Sequence, residues 1–282
     1  MHSILITGGS GTFANAFVAH LLANTDVERI CLYSRGEHAQ AAMRERFSNS
    51  DRLRFFIGDV RDKERLIRAM RGVDAVVHAA ALKRIEVGHY APDEMVKTNV
   101  LGTLNVVEAA LDVGVPKTLL ISSDKAWNPV SPYGYSKAMA EALILNANHI
   151  NPSLMFAAVR YGNVWDSQGS VVPRWRDLIA SGCTRVPVTD PNCTRFMMLR
   201  QEAVELVWGA LLTMQGGELR IPDWLPAYRL GDLAVAMGVD MAISTLPAWE
   251  KRHEGMRDGI TSDLVRRLTI SELQELLFST EV

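Results

Sequence analysis

Short apolar runs without alternation recur through the first half of the chain, at 3–7 (SILIT), 29–33 (RICLY), 54–58 (RFFIG), 75–78 (AVVH), 118–122 (TLLIS) and 154–159. Runs of this kind are strands buried on both faces, as in a parallel sheet covered by helices. Between them lie charged stretches with helical spacing, at 13–23, 40–47, 63–70 and 92–113. Strand and helix in alternation make right-handed βαβ units. The expected fold class is therefore α/β, a doubly wound parallel sheet of the Rossmann type. After Asn163 the rhythm changes: prolines and tryptophans become frequent and strand spacing turns irregular. The expected organisation is a dinucleotide-binding domain over 1–163. A smaller substrate-binding lobe follows over 164–282, with some segments returning to the first domain. Near the end, Thr269 and Glu272 form a capping box that opens an amphipathic helix over 269–277.

Composition narrows the classes. Of 282 residues, 48% are hydrophobic and 22% charged, which suits a globular chain with an ordinary core. A net charge of −2 excludes a polybasic surface, so no nucleic-acid partner is expected. Three cysteines, Cys31, Cys183 and Cys193, form no CxxC pair and no disulfide framework, so no metal is expected and a reducing compartment suits them. Met1-His2-Ser3 runs directly into an apolar strand without a basic segment or cleavage site, and no run of about 20 apolar residues exists. The expectation is a cytoplasmic protein with no membrane partner.

The first strand ends in Thr7-Gly8-Gly9-Ser10-Gly11-Thr12-Phe13-Ala14, just before a helical pattern. Gly8 allows a tight turn, Gly11 lets backbone approach a pyrophosphate, and a small residue at Ala14 lets the helix lie near the sheet. Helix N-terminal amides then meet the phosphate charge. Strand, turn and helix in that order point to a dinucleotide, with Ser10, Thr12 and Phe13 on the same turn. The second strand ends in Ser34-Arg35 where an acidic residue would bind the ribose of NAD. A hydroxyl and a guanidinium suit a 2′-phosphate, which favours NADP. NAD remains the alternative, with Glu37 at the ribose and Arg35 solvated. Asp59 and Val60 follow the third strand, where adenine would lie. Ala79, Ala80 and Ala81 follow the fourth, small enough to let a cofactor pass. Lys83 is in reach of cofactor or substrate, or is a surface lysine.

Tyr133 and Lys137 stand four apart, on one face if the segment is helical. An ammonium beside a phenol stabilises the phenolate, which can take a proton from a substrate hydroxyl. Ser123 is a candidate to hydrogen-bond the reacting oxygen. Tyr135 is a competing phenol without a lysine four residues on.

The stretches TGGSGTFA (7–14), IGDVRD (57–62), HAAALK (78–83), SSDKAWNP (122–129), YGYSK (133–137), GSVVP (169–173), TRF (194–196) and EKRHE (250–254) together resemble the extended short-chain dehydrogenases/reductases. Within these, they are similar to the soluble UDP-N-acetylglucosamine 4,6-dehydratases, including the 5-inverting type, of bacterial surface-sugar pathways. The resemblance implies a UDP-sugar substrate and a homo-oligomer, and a transient oxidation at carbon 4. Elimination follows, with Lys125 handling the carbon 5 proton and Asp124 protonating the leaving hydroxyl. The two roles are open to exchange, because Lys125 pulls the Asp124 pKa down. The resemblance also places Asn99 near the cofactor site, where it helps fix the loop after the fourth strand, and Asn163, Val171, Arg195 and His253 near the substrate. Arg195 is the candidate for the nucleotide phosphates, whereas His253 and Glu254 have a purely structural alternative. Four features depart from the family pattern: Ala14 for a third glycine, Ser123 for threonine, Gln168 for arginine, and Trp165-Asp166 after Asn163. A 4-epimerase or reductase on the same tyrosine and lysine is the alternative activity, and a non-catalytic NADP-binding regulator the alternative class.

Overall fold

The computed structural model describes residues 1–279. Its first half is β1 (Ser3–Thr7), α1 (Thr12–Asn24), β2 (Arg29–Ser34), α2 (Glu37–Arg46), β3 (Leu53–Ile57), α3 (Lys63–Met70), β4 (Ala75–His78), α4 (Ile85–Tyr90), α5 (Pro92–Met95), α6 (Gly102–Val113), β5 (Lys117–Ile121), α7 (Pro132–Ile150) and β6 (Met155–Val159). The remainder is β7 (Asn163–Val164), α8 (Val171–Ala180), β8 (Arg185–Val188), β9 (Thr194–Met198), α9 (Arg200–Thr213), β10 (Leu219–Arg220), β11 (Ala227–Arg229), α10 (Leu230–Ala236), β12 (Asp240–Ile243), β13 (Gly255–Arg257), β14 (Ile260–Thr261) and α11 (Ile270–Phe278). No helix among the described residues is long and apolar enough to cross a membrane.

Seven strands form one parallel sheet in the order β10-β6-β5-β4-β1-β2-β3. The order reverses between β1 and β4, and a crevice opens at the carboxyl ends of strands at such a reversal. Both faces of the sheet are covered. Along β1, Ile4 and Ile6 pack on one side with Phe17, Leu21, Val204 and Val207, while Leu5 packs on the other with Val106, Ala110 and Ile144. This double burial is why the strands read as continuous apolar runs. The C-terminal part is stitched to both layers, because β10 joins the edge of the large sheet whereas β7, β9 and β11 form a separate three-stranded sheet. Trp165, Trp175, Val186, Tyr228, Leu233 and Leu273 make a third core there.

The helix expected over 92–113 is interrupted. Between α5 and α6 the chain forms a π-helical turn, Val96–Leu101. Single turns of this kind mark places where a side chain has been re-aimed. Here Asn99 bonds the loop after β4, accepting from Leu82 N (2.8 Å) and donating to Leu82 O (2.9 Å). At α6 the helix runs close to Val60: a Cβ on Gly102 would stand 2.7 Å from Val60 Cγ2. The C-terminal helix begins with the capping box at Thr269 and Glu272.

Candidate active site

The crevice at the sheet's carboxyl edge is a cavity of about 850 Å³. One end is backbone. Gly8 has a left-handed φ of 67°, and a Cβ there would come within 3.0 Å of the Ala80 backbone. The turn 8–13 and the alanines 79–81 thus enclose a narrow trough at the N-terminus of α1, where amide groups favour an anion. Farther along, Ser34, Arg35, Asp59 and Val60 line the same cavity. The Tyr33 hydroxyl donates to Asp59 O (2.7 Å), and a Cβ at Gly58 would be 2.4 Å from the Tyr33 ring, so glycine is needed there. Arg35 Nη1 lies 3.8 Å from Asp59 Oδ2 and is mostly solvated, while Arg61 holds that carboxylate more tightly at 2.8 Å. Glu37 lies outside the cavity lining, on the exposed first turn of α2. Lys83 lines the cavity with no hydrogen-bond or ion-pair partner among the described residues, and burial pushes its pKa down.

At the other end stand the groups with proton chemistry. Ser131 caps α7 by accepting from Gly134 N (3.1 Å), with Pro132 at the first helical position. A Cβ on Gly134 would be 2.5 Å from Lys125 O, so α7 starts hard against the short 3-10 turn Asp124–Ala126. That turn hangs from the end of β6, with Ser122 N bonded to Val159 O and Asp124 N to Tyr161 O. These contacts bring Ser123, Lys125, Tyr133 and Lys137 to one cavity wall. Tyr133 is nearly buried, whereas Tyr135 is 60% exposed and points away, which removes it as a rival phenol. Burial raises the Tyr133 pKa, opposed by the Lys125 charge and a hydrogen bond with Ser123. Lys137 donates to Ile121 O (2.6 Å). Burial lowers its pKa to about 8, with Glu141 pulling weakly the other way.

Asp124 is wholly buried behind this wall. Its Oδ1 accepts from Ser123 Oγ (2.8 Å) and Lys125 Nζ (3.1 Å), and its Oδ2 has no protein partner. Lys125 Nζ also donates to Asn163 Oδ1 (3.0 Å) and lies 3.6 Å from Glu254 Oε1. Burial alone would lower the Lys125 pKa, but Asp124 and Glu254 overcome it and hold the group above the usual lysine range. Lys125 therefore rests as an ammonium. As an ammonium it can take the carbon 5 proton only after giving up its own, and Asp124 stands 3.1 Å away to receive it.

Three further expected site residues are engaged within the protein. Asn99 does not line the cavity; its amide is spent on Leu82 and on Ser136 Oγ (2.9 Å), so it shapes the loop without reaching a ligand. His253 is likewise outside, its Nδ1 2.8 Å from Thr194 Oγ1. Arg195 lines the cavity, but its guanidinium is already held by Glu250 Oε1 (2.6 Å) and by the carbonyls of Thr194 and Arg252. Asn163 and Val171 do line the cavity. His78, a strand-end histidine, is held between Thr7 Oγ1 (2.7 Å) and Thr103 Oγ1 (3.0 Å), and burial lowers its pKa to about 3, so it is neutral scaffolding.

Sequence reasoning missed the buried support beneath the wall. Glu141 takes Arg160 and Ser122 together, and Arg160 stacks 5.7 Å from the Trp127 ring centroid. The spacing Tyr133, Lys137, Glu141 repeats every four residues, and that signal could have placed Glu141 on the same helix face. Tyr228, Trp249 and Glu250 also line the cavity, brought there from two separate segments with no local motif.

Residues 4–271 match a family described as "Polysaccharide biosynthesis protein". The chain is 44% identical over 265 residues to a UDP-N-acetylglucosamine 4,6-dehydratase (inverting) of Campylobacter jejuni, covering 93% of this chain and 78% of that one. It is 38% identical over 240 residues to a UDP-glucose 4-epimerase of Rickettsia akari, covering 83% and 70%. Among solved structures, Pen from Bacillus thuringiensis superposes with a TM-score of 0.94 at 29% identity, over 100% of this chain and 98% of that one.

Proposed function

The chain belongs to the polysaccharide biosynthesis protein family, and we propose that within it the protein is a nucleotide-sugar 4,6-dehydratase, a hydro-lyase acting on UDP-N-acetylglucosamine. The observation that carries this reading is a second acid–base couple, Asp124 and Lys125, packed against the wall that presents Tyr133 and Ser123. A 4-epimerase needs one proton acceptor at carbon 4. A dehydratase needs a further pair, one group to take the carbon 5 proton and one to protonate the departing hydroxyl. The relatives named as inverting dehydratases, at 44% and 43% identity, support the same choice.

The trough fits a nicotinamide dinucleotide, with the turn 8–13 at the pyrophosphate, Asp59 and Val60 at the adenine, and Ser34 and Arg35 at the ribose. Arg35 favours NADP. When bound, the nicotinamide supplies a temporary acceptor of two electrons at carbon 4 and returns them at carbon 6, so none is consumed. Tyr133 would take the proton of the carbon 4 hydroxyl as a phenolate, a form that burial disfavours and that the Lys125 charge and the Ser123 hydrogen bond favour, with Lys137 one helical turn along. The resulting ketone acidifies the carbon 5 proton. That proton goes to the couple, the carbon 5–carbon 6 double bond forms, and the carbon 6–oxygen bond breaks. The couple gives a proton to the leaving hydroxyl, which departs as water; return of hydride to carbon 6 would leave an enolate, and carbon 5 then takes a proton that has exchanged with solvent. Lys125 is the member of the couple on the cavity wall and Asp124 is buried behind it, so Lys125 would pass its resting proton to Asp124, take the carbon 5 proton and give one to the leaving oxygen. A proton crossing the 3.1 Å contact then restores carboxylate and ammonium.

The Rickettsia relatives keep a 4-epimerase as the second reading. Incubation with UDP-N-acetylglucosamine in deuterated water, followed by NMR of the product, decides between them. A 4-keto-6-deoxy sugar carrying deuterium at carbon 5 is the expected product. A carbon 4 epimer with carbon 6 unchanged would overturn the dehydratase reading.

A further inference from the structure

We propose that Glu254 is a positioning residue for the elimination couple: its buried carboxylate, brought in from the segment before β13, holds Lys125 as an ammonium against Asp124. The inference rests on the dehydratase reading and adds to it a residue from a distant part of the chain.

The segment 250–254 crosses over the 3-10 turn. Lys251 Nζ donates to Trp127 O (2.8 Å) and pairs with Glu254 Oε2 (2.7 Å), while Glu254 Oε1 lies 3.6 Å from Lys125 Nζ. Glu254 N donates to Ser262 Oγ (2.9 Å), which fixes the backbone beneath the side chain. Glu254 is 3% exposed. The titratable groups that face Lys125 are Asp124 on its own turn, Glu254 with Lys251 from the crossing segment, Arg195 from β9, Tyr133 from α7 and Tyr228 from β11. With Glu250 included, three cations meet three carboxylates. Deleting the Glu254 charge leaves Lys125 with Asp124 as its one carboxylate partner at 3.1 Å, while Arg195 keeps Glu250 and Lys251 keeps the Trp127 carbonyl. Burial raises the Glu254 pKa, but Lys125, Arg195 and Lys251 more than offset this and keep it an anion. A strap serving only to hold the segment would be complete with Lys251 on the Trp127 carbonyl. The remaining oxygen of Glu254 instead reaches a group on the cavity wall.

The test uses the full chain as Glu254→Gln and Glu254→Asp. Lysine ε-carbon labelling and NMR report the Lys125 titration without substrate, the resonance being assigned by its loss in Lys125→Arg. An opposite charge at this range is worth about 1–3 pH units, so Glu254→Gln lowers the Lys125 titration by about that much and Glu254→Asp by less. In single turnovers with NADP and UDP-N-acetylglucosamine, Glu254→Gln still reduces the nicotinamide with the wild-type pH dependence. Its release of 4-keto-6-deoxy product slows about 10-fold or more, with the alkaline limb moved to lower pH. A Lys125 titration unmoved in both variants overturns the role of Glu254. A wild type that makes no 4-keto-6-deoxy sugar overturns the dehydratase reading alone, since the titration is read independently. If Glu254→Gln does not fold, Glu254→Asp carries the same titration test.

Discussion

Lys137 and Lys125 face one cavity from two regions, the first under the parallel sheet and the second where the C-terminal segment crosses it. Burial disfavours the ammonium of both. Lys137 has Glu141 nearby, but that carboxylate is already engaged by Arg160 and Ser122, and the lysine falls to about 8. Lys125 has Asp124 and Glu254, and it is held above the usual range. Depth does not set a lysine's charge; the unspent carboxylates around it do. The same cavity therefore offers an easily neutralised lysine beside Tyr133 and a persistent cation beside Asp124.

The largest effect expected is on the phenol. Tyr133→Phe should lower kcat by about 10²–10⁴-fold and leave no reduced nicotinamide in a single turnover. Asp124→Asn should stop later, with reduced nicotinamide accumulating and carbon 5 exchange lost. If both variants stall at the same step, the two couples do not divide the reaction. Next in size is the support under Lys137. Glu141→Gln strands the buried Arg160 guanidinium and should cost about 3–5 kcal/mol in denaturant unfolding. A cost near zero would mean the pair does not hold the wall.

The pH dependence sharpens the contrast further. Lys137 is charged below about pH 8 and loses its proton above it, so carbon 4 oxidation should fall as pH rises through about 8. Lys137→Arg should move that limb to higher pH; a limb that stays put belongs to another group. The stability sign is opposite. A lysine lowered from 10.5 to about 8 penalises the folded state fully below pH 8, and the penalty is relieved between pH 8 and 10.5. The smallest effect is at the far end of the trough. Arg35→Ala should weaken NADP by about 10–100-fold and leave NAD unchanged, measured by titration calorimetry. Equal losses for both cofactors would remove the 2′-phosphate contact.

Much of the fold was legible because it is built from local periodicities. The runs at 75–78 and 63–70 coincide with β4 and α3, and Gly8 reads as a turn because its φ of 67° suits glycine. The break at Val96–Leu101 was not legible, since it follows from Asn99 reaching Leu82 across the fold. Tyr133 and Lys137 were visible as a spacing; that Tyr135 points outward was not. Asp124 and Lys125 were visible as neighbours, but their protonation was not, because Glu254 reaches them from a distant stretch of chain. His253 and Arg195 show the converse, with promising residue types already satisfied by Thr194 and Glu250.

Sequence alone determined the order of strands and helices through β6, the glycine turn after β1 and the phenol–amine spacing, since each depends on residues close together in the chain. Tertiary structure alone decided which charged groups are left unpaired and which lysine keeps its proton. Those outcomes depend on burial and on counter-ions delivered by β9, α7 and the segment before β13, and electrostatic energy follows distance in space.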